Sequence, residues 1–461
     1  MGLRNIAATG SVRMTRGRRA RAWSATIALL LMLAWPTAPT RAERMGFSAE
    51  EFSARRARLA AVLREGTLIM FGAPGSTPGL RFRQDNDFFY LTGNESPNAV
   101  LVMDVPSGRS VLFMPKLNEQ EVRYEGGNWL EEADPARKYG FAAVQPLTSL
   151  VEFIARQHDA PGPQTVWTRL SERDVVNEGR IDTASNHARR LANPFAQYPS
   201  EDAARIASMQ THFPYFELRD VTPHLDRLRM IKTPREIEIL RQNGRISAEA
   251  VKRAIQATAA GKYEYELEAE ATYWHVKHGM QSAAYPAIVG SGPMGNRWHY
   301  EDSGRQMKAG ELVVMDYAGS LDQLTTDITR TWPVSGRFTE AQRKAYDCVL
   351  ETQKAIIAAI KPGVTRDVVA KLAQDIYKRH GFEPGNAYVG HYVGLSVHDV
   401  GDWNAPFEAG MVLAIEPIID LPEQQLHIRV EDTILVTPTG AEILTPGLPK
   451  EIDELLALVK K

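Results

Sequence analysis

The sequence predicts a mixed α/β (α+β) protein with two domains behind an N-terminal leader. A length of 461 residues favours more than one domain. Short β-like runs mark the first half, whereas long helices alternating with strands follow from about residue 221. A content of 44% hydrophobic and 24% charged residues is typical of a globular protein with a sizeable core.

Residues 1–42 have the composition of a secretory signal peptide. They contain seven Arg, no Lys and no acidic residue, followed by an apolar run from Ala25 to Trp35. This run is shorter than the roughly 20 residues that a membrane-spanning helix needs, and Pro36 and Pro39 end it. We expect cleavage after Ala42, export to the periplasm or the medium, and no stable membrane anchor afterwards.

The remaining chain carries a formal net charge of −9, which gives no indication of nucleic-acid binding. Cys348 is the single cysteine, so an internal disulfide and a thiolate metal cluster are excluded. It lies in the helical pattern QRKAYDCVLETQKAIIAAI, which predicts a buried structural residue.

Residues 43–220 are predicted to form an α/β domain. An amphipathic segment from Phe47 to Arg64 is followed by four β-like runs, TLIMFG, DFFYLTG, AVLVMDV and SVLFMP. Residues from about 160 to 215 are polar and poorly periodic, which indicates an irregular insertion or a helical connection. We place the domain boundary near Val221.

Residues 221–461 are predicted to form the second domain. Its first long helix begins with Thr233 as N-cap, Pro234 at the first helical position and Glu236 at the third. Residues 340–360 and 365–380 have helical patterns. Strand-like runs recur as AYPAIVG, GELVVMDYAG, GMVLAIEPII and HIRVEDTILVT.

Three of these strands place a carboxylate directly after an apolar run, at Asp316, Glu416 and Glu431. Acidic residues are disfavoured in strands, and a buried carboxylate is costly to ionise without a partner. A divalent cation can satisfy several carboxylates at once. Each acid taken alone is equally consistent with a strand end at the surface.

Asp327 and His391 extend this set. Asp327 lies eleven residues after Asp316 across turn-forming residues, so a hairpin would bring both carboxylates to one side. His391 lies in the glycine-punctuated segment GHYVGLSVHDVG, although a lone histidine there is more often structural. Two Asp, two Glu and one His suit two divalent cations about 3.5–4 Å apart, which would generate a bridging hydroxide nucleophile.

With these residues in order, the chain resembles the pita-bread (M24-type) metallopeptidases. The resemblance rests on DYAGSLDQLTTDITRTWPVSGRF, GLSVHDVG, GMVLAIEP and IRVEDTILVT. The segment RFRQDNDFFYLTGNESPNAVLVMD is similar to the creatinase-like N-terminal domain of the aminopeptidase P group. The resemblance implies an N-terminal creatinase-like α/β domain followed by a C-terminal pita-bread catalytic domain.

The resemblance also implies the roles of individual residues. Glu431 would bridge the two metals, and Glu416 would transfer a proton as well as bind metal. His299 and His398 would lie beside the metals and stabilise the oxyanion, and Arg429 would orient a ligand carboxylate. The implied metal ligands are Asp316, Asp327, His391, Glu416 and Glu431. Manganese is the expected metal, with cobalt and zinc as alternatives.

The function implied is hydrolysis of the N-terminal Xaa-Pro bond of peptides with proline second, by a homo-oligomer (dimer or tetramer). One alternative is a prolidase-like Xaa-Pro dipeptidase. Others are a metal-free amidinohydrolase of the creatinase type and a catalytically silent peptide-binding protein, neither of which needs a costly acidic cluster. The sequence departs from the aminopeptidase P pattern at two positions: Ala387 stands where a histidine usually lies, and Asp420 where a tyrosine usually lies. Both departures affect the expected handling of the substrate and not the binding of metal.

Overall fold

The computed structural model describes residues 46–75, 81–157, 162–383 and 388–459. The predicted signal peptide and Ala387 lie outside these ranges. Both predicted domains fall within one unit from residue 45 onwards, so the boundary near Val221 stays a prediction. Within the described ranges, no helix combines the length and apolar character needed to cross a membrane.

The N-terminal half is built around one six-stranded sheet in the order β4-β3-β2-β1-β5-β6. Strands β1, β2 and β3 are antiparallel, whereas β3–β4, β1–β5 and β5–β6 are parallel. Its strands are β1 (Thr67–Phe71), β2 (Val100–Asp104), β3 (Arg109–Met114), β4 (Ala143–Pro146), β5 (Gln164–Thr168) and β6 (Phe216–Asp220). Its helices are α1 (Ala49–Leu63), α2 (Asn86–Thr92), α3 (Glu119–Glu125), α4 (Pro135–Tyr139), α5 (Leu150–Gln157), α6 (Arg180–Leu191) and α7 (Glu201–His212).

The β-like run DFFYLTG is helix α2, so its prediction as a strand was wrong. Asp85 caps the helix by accepting a hydrogen bond from Phe88 N–H at 3.0 Å, and Gly93 ends it in the left-handed conformation. All seven residues of α2 are buried. A helix buried on every side shows no 3.6-residue polarity pattern, so a short apolar run cannot distinguish it from a strand.

The described part of the stretch from 160 to 215 contains two helices, in line with the helical connection that was one of the two predictions, and one strand that was not predicted. It contributes β5, the strand next to the sheet edge, which pairs in parallel with β1 and β6, and it forms helices α6 and α7. Helix α6 has no buried residue among those described. Its sequence, RIDTASNHARRL, is mostly polar with two large apolar residues, so it lacks the wide apolar stripe that marks a core helix.

The C-terminal half combines long helices with small antiparallel sheets. The sheet orders are β12-β9-β8, β13-β14-β17-β18, β11-β10-β7 and β15-β16. The strands are β7 (Ser282–Ala283), β8 (Ile288–Ser291), β9 (Leu312–Asp316), β10 (Gly319–Leu321), β11 (Leu324–Thr325), β12 (Thr329–Pro333), β13 (Gly390–Tyr392), β14 (Val412–Ile415), β15 (Ile418–Leu421), β16 (Leu426–Arg429), β17 (Asp432–Val436) and β18 (Ala441–Ile443). The helices are α8 (Thr222–Met230), α9 (Pro234–Ala257), α10 (Glu264–Lys277), α11 (Glu340–Ala359), α12 (Arg366–His380) and α13 (Ile452–Leu458).

The predicted start of α9 is confirmed. Thr233 accepts a hydrogen bond from Glu236 N–H, and the Glu236 carboxylate accepts one from Thr233 N–H at 2.8 Å. These two bonds form a capping box, with Pro234 at the first helical position. Cys348 is also buried, as predicted, in helix α11.

His275 of α10 is a buried imidazole that should make stability sensitive to acid. Within the described residues neither ring nitrogen has a hydrogen-bond partner, and burial lowers its pKa to about 4. Below its ordinary pKa of 6.5 the unfolded chain therefore binds a proton that the folded chain does not, so stability falls as pH drops from 6.5 towards 4. We expect this residue to cost about 2 kcal/mol of unfolding free energy between pH 7.5 and 5.

Urea unfolding of a His275→Leu variant at the two pH values measures this cost. The variant should lose less stability on acidification than the wild-type chain. His278→Leu is the matched control, because His278 is exposed on the same turn of the chain. Equal pH dependence of the wild type and the His275 variant would contradict the expectation.

Candidate active site

Antiparallel pairing brings the ends of several C-terminal strands together. Asp316 ends β9 opposite Thr329 of β12 on one side and Ile288 of β8 on the other. Strands β14 and β17 pair so that Ile415 lies opposite Asp432. The residues next to this pair, Glu416 and Glu431, therefore reach the same region. The five predicted ligands are all buried: Asp316, Asp327, His391, Glu416 and Glu431.

His391 lies at the centre of this cluster. Its Nε2 is 3.2 Å from Asp327 Oδ2 and 3.2 Å from Glu416 Oε1. Candidate ligand atoms of Asp327, His391 and Glu431 lie within 4.8 Å of one another. The structure therefore brings four of the predicted ligands into one contiguous cluster.

Tyr285 connects Asp316 to this cluster, and sequence reasoning missed it. Its buried hydroxyl donates to Asp316 Oδ1 at 2.5 Å and also contacts Asp327 Oδ1. Burial and the neighbouring carboxylates raise the pKa of the phenol well above its ordinary value, which keeps it a donor. The only signal in the sequence was a tyrosine in the apolar run AYPAIVG, since buried tyrosines need a hydrogen-bond partner.

Arg429 approaches Asp316 from the other side. Its Nη2 lies 2.9 Å from Asp316 Oδ2, and the guanidinium is buried. Although burial opposes the charge, the surrounding carboxylates raise the pKa of Arg429 above its ordinary value. Arg429 therefore stays cationic and holds Asp316 in place, as expected for a residue that orients a ligand carboxylate.

The donor set fits divalent cations. Four buried carboxylates face one guanidinium and one imidazole. Burial, then the charge of Asp327, raises the pKa of Asp316 to about 8, and burial with three neighbouring acids raises that of Glu431 well above its ordinary range. Glu431 Oε2 accepts from Thr329 Oγ1 at 2.6 Å, whereas its buried Oε1 has no hydrogen-bond partner among the described residues. An excess of buried negative charge with an unsatisfied oxygen is what metal ions would neutralise.

His299 and His398 line a cavity of about 240 Å³ together with Asp316 and Asp327. The rings of His398 and His391 are 4.3 Å apart between centroids, at 68°. Burial and the nearby His391 lower the pKa of His398. His299 is exposed on the loop after β8. Both predicted histidines therefore border the cavity next to the acidic cluster.

The N-terminal half supplies the outer wall of this cavity, which sequence reasoning did not anticipate. The lining residues from this half are Asn177, Glu178, Asp182, Asn186 and Arg189. They belong to the poorly periodic stretch before and within α6. No local motif in that stretch indicated a site.

Asp420, where a tyrosine was expected, fixes the loop that carries His299. It lies opposite His427 in the β15–β16 register and accepts a hydrogen bond from His427 Nδ1 at 2.9 Å. It also accepts bonds from Asn296 Nδ2 at 2.5 Å and Trp298 Nε1 at 3.3 Å. The departure therefore introduces a carboxylate that ties strand β15 to the residues just before His299.

Comparison with known proteins agrees with this geometry. Residues 238–438 match the model of metallopeptidase family M24, and residues 52–167 match the aminopeptidase P N-terminal domain. An Xaa-Pro aminopeptidase from Escherichia coli is 32% identical over 452 residues, covering 89% of this chain and 98% of the relative. The chain belongs to metallopeptidase family M24.

Within M24, two solved structures of E. coli aminopeptidase P have the same fold. One holds the inhibitor Pro-Leu and the other is zinc-substituted with product. Each aligns with a TM-score of 0.75 and 28% identity, covering 90% of this chain and 98% of that chain. The predicted fold class is confirmed: an aminopeptidase P-type N-terminal domain precedes an M24 pita-bread domain. This M24 chain is a metal-dependent peptidase that uses divalent metal ions and acts on peptides.

Proposed function

We propose that this chain is an exported aminopeptidase that releases the first residue of peptides with proline at the second position. The observation that carries the proposal is the buried cluster of four carboxylates and His391 beside a cavity that two further histidines border. The relatives from Escherichia coli and Haemophilus influenzae, which match along almost the whole chain including the N-terminal half, are Xaa-Pro aminopeptidases, and this supports the choice of substrate within M24.

Two divalent ions are proposed to be held by Asp316, Asp327, His391, Glu416 and Glu431. When bound, such a pair would supply Lewis acidity at the scissile carbonyl and would activate the attacking water. Glu431 is proposed as the bridging ligand, since its unsatisfied Oε1 and its contacts within the cluster support this role. Manganese is the proposed metal, because a donor set rich in oxygen with one imidazole suits it, and cobalt or zinc are alternatives.

The remaining residues of the site would bind substrate and move protons. Glu416, whose Oε1 is next to His391, is proposed to take the proton of the attacking water and pass it to the leaving proline nitrogen. His299 and His398 are proposed to hydrogen-bond the carbonyl oxygen as negative charge develops on it. Arg429 and Tyr285 would keep the Asp316 and Asp327 carboxylates in a fixed orientation.

The substrate proposal is tested by comparing three peptides with the same first residue. An Xaa-Pro-Xaa tripeptide should be cleaved after its first residue with the highest kcat/KM. An Xaa-Ala-Xaa tripeptide is the matched control for the proline requirement, and an Xaa-Pro dipeptide tests the prolidase-like alternative. Measuring the released first residue decides between them, because hydrolysis confined to the dipeptide would replace the aminopeptidase proposal with a dipeptidase.

Export and oligomeric state complete the proposal. The composition of residues 1–42 supports export through a cleaved signal peptide to the periplasm or medium. Cell fractionation with N-terminal sequencing should find a chain that begins at Glu43, and an intact cytoplasmic chain would contradict export. A dimer or tetramer is proposed by resemblance to the family, and sedimentation of the purified chain measures it.

A further inference from the structure

The start of helix α6 packs directly against the segment that carries His398. Val397 N–H donates to Val176 O at 2.8 Å, and Ser396 Oγ lies 3.5 Å from the same oxygen. At Gly179, the residue before α6, a Cβ atom would lie only 2.7 Å from His398 O. The backbone of the N-terminal half therefore approaches the His398 segment too closely for a side chain at position 179.

This approach brings one carboxylate of α6 to His398. Asp182 Oδ2 lies 3.3 Å from His398 Nδ1, across 216 positions of the sequence. A carboxylate only accepts, so Nδ1 must carry the hydrogen in this contact. Within the described ranges His398 Nε2 has no protein hydrogen-bond partner, and the ring borders the cavity beside Asp316 and Asp327. The contact thus leaves Nε2 as the nitrogen available to substrate.

A buried cluster of charges fixes both partners of this contact. Arg180, the first residue of α6, binds Asp87 at 3.0 Å and Asp174 at 3.3 Å. Arg229 of α8 binds the same two acids and also Asp399, the residue after His398, at 2.6 Å. Asp182 and His398 each therefore lie within two residues of one buried ionic cluster, which holds the backbone at both positions.

We propose that Asp182 is a positioning residue that orients the His398 imidazole, so that the N-terminal half completes the active site of its own chain. The inference rests on the proposed function, since it gives His398 a task in peptide hydrolysis. Carboxylates that hold the far nitrogen of a functional imidazole fix its ring orientation and its tautomer. Helix α6 then has a role beyond shaping the outer wall of the cavity.

Among the residues that the structure describes, the Asp182 carboxylate makes one other hydrogen bond, which the experiment must separate from this role. Its Oδ2 also accepts a hydrogen bond from Gly179 N–H at 3.1 Å and so caps α6. Loss of a cap costs about 1 kcal/mol of stability wherever it occurs. Ser200 provides a matched control, because its hydroxyl caps α7 in the same half of the chain and it is not among the residues lining the cavity.

The test measures kcat and KM of the metal-loaded full chain with an Xaa-Pro-Xaa tripeptide. Asp182→Ala should lower kcat by about 10- to 100-fold with little change in KM, because orientation matters most in the transition state. Asp182→Asn should recover most of that loss, since its amide oxygen can accept the same hydrogen bond. Ser200→Ala should keep the wild-type kcat. Gly179→Ala should resemble Asp182→Ala, because the added Cβ forces α6 away from His398.

Crystal structures of the wild type and Asp182→Ala give a second readout that does not depend on activity. We expect the His398 ring to turn, or to adopt several orientations, only in the variant. An unchanged orientation of the His398 ring would overturn the inference. An Asp182→Ala variant with the kcat of Ser200→Ala would also overturn it, as would an Asp182→Asn variant as slow as Asp182→Ala. A wild-type chain that releases no first residue would instead overturn the proposed function, and the ring orientation would still decide the role of Asp182.

Discussion

Replacing Glu431 by Gln should lower peptide hydrolysis by at least about a thousandfold and remove bound metal. The substitution keeps the size of the side chain and removes one charge from the most buried part of the cluster, where Glu431 has no exposed surface. The neutral amide can still accept from Thr329 Oγ1 but cannot neutralise a cation. Metal analysis and kcat/KM of the purified variant measure both effects.

The same substitution should change stability in opposite directions with and without metal. Without metal, the Glu431 carboxylate is buried among other acids, so Glu431→Gln should unfold at a higher urea concentration than the metal-free wild type. With saturating metal the order should reverse, because ions bind only the folded wild-type site tightly. Glu423→Gln, on an exposed turn, should change neither activity nor stability. The same order of stability in both conditions would contradict a metal role for Glu431.

Replacing Arg229 by Met should destabilise the chain by about 3–5 kcal/mol at neutral pH. Arg229 is the shared cation of Asp87, Asp174 and Asp399, and all four side chains are at most 1% exposed. Removing it takes away the one cation that contacts all three carboxylates and leaves them buried with only their other partners, Arg180 and Lys232 among them. The matched control is Arg227→Met on the same helix, since Arg227 pairs with Glu408 at the surface and should contribute at most about 1 kcal/mol.

The pH dependence of this effect has a defined sign. Although burial opposes ionisation, Arg229 and Arg180 lower the pKa of Asp174 to about 2 and that of Asp87 further. Their stabilisation is therefore complete above the ordinary pKa of 3.8 and is lost as pH falls towards 2. The difference in unfolding free energy between wild type and Arg229→Met should shrink below about pH 4. Urea unfolding at pH 7 and pH 3.5 measures this change, and a difference independent of pH would contradict it.

The predicted metal ligands could be identified from sequence because each follows a local rule. Asp316, Glu416 and Glu431 interrupt apolar strand patterns, and an acid in such a position needs a compensating cation. The order of these acids around His391 then made the resemblance to the pita-bread metallopeptidases specific. The start of α9 could be predicted for the same reason, since Thr233 and Glu236 form their capping box within four residues of the sequence.

The contacts that could not be predicted from the sequence join residues far apart along the chain. Asp182 meets His398 across 216 positions, and Arg229 meets Asp87 across 142. No periodicity or spacing rule reports such pairs. Helix α2 was misassigned because burial on every side removes the polarity pattern that separates helix from strand. Tyr285 appeared only as one more aromatic residue in an apolar run.

Metal titration shows whether hydrolysis of the Xaa-Pro bond requires two divalent ions held by this cluster. The full chain would be stripped with chelator and titrated with Mn²⁺ while release of the first residue of an Xaa-Pro-Xaa tripeptide is measured. We predict no hydrolysis without metal and a maximal rate at two ions per chain, with Glu431→Gln inactive throughout. Full hydrolysis by the stripped chain, or a maximal rate at one ion per chain, would contradict a catalytic site that requires two metal ions.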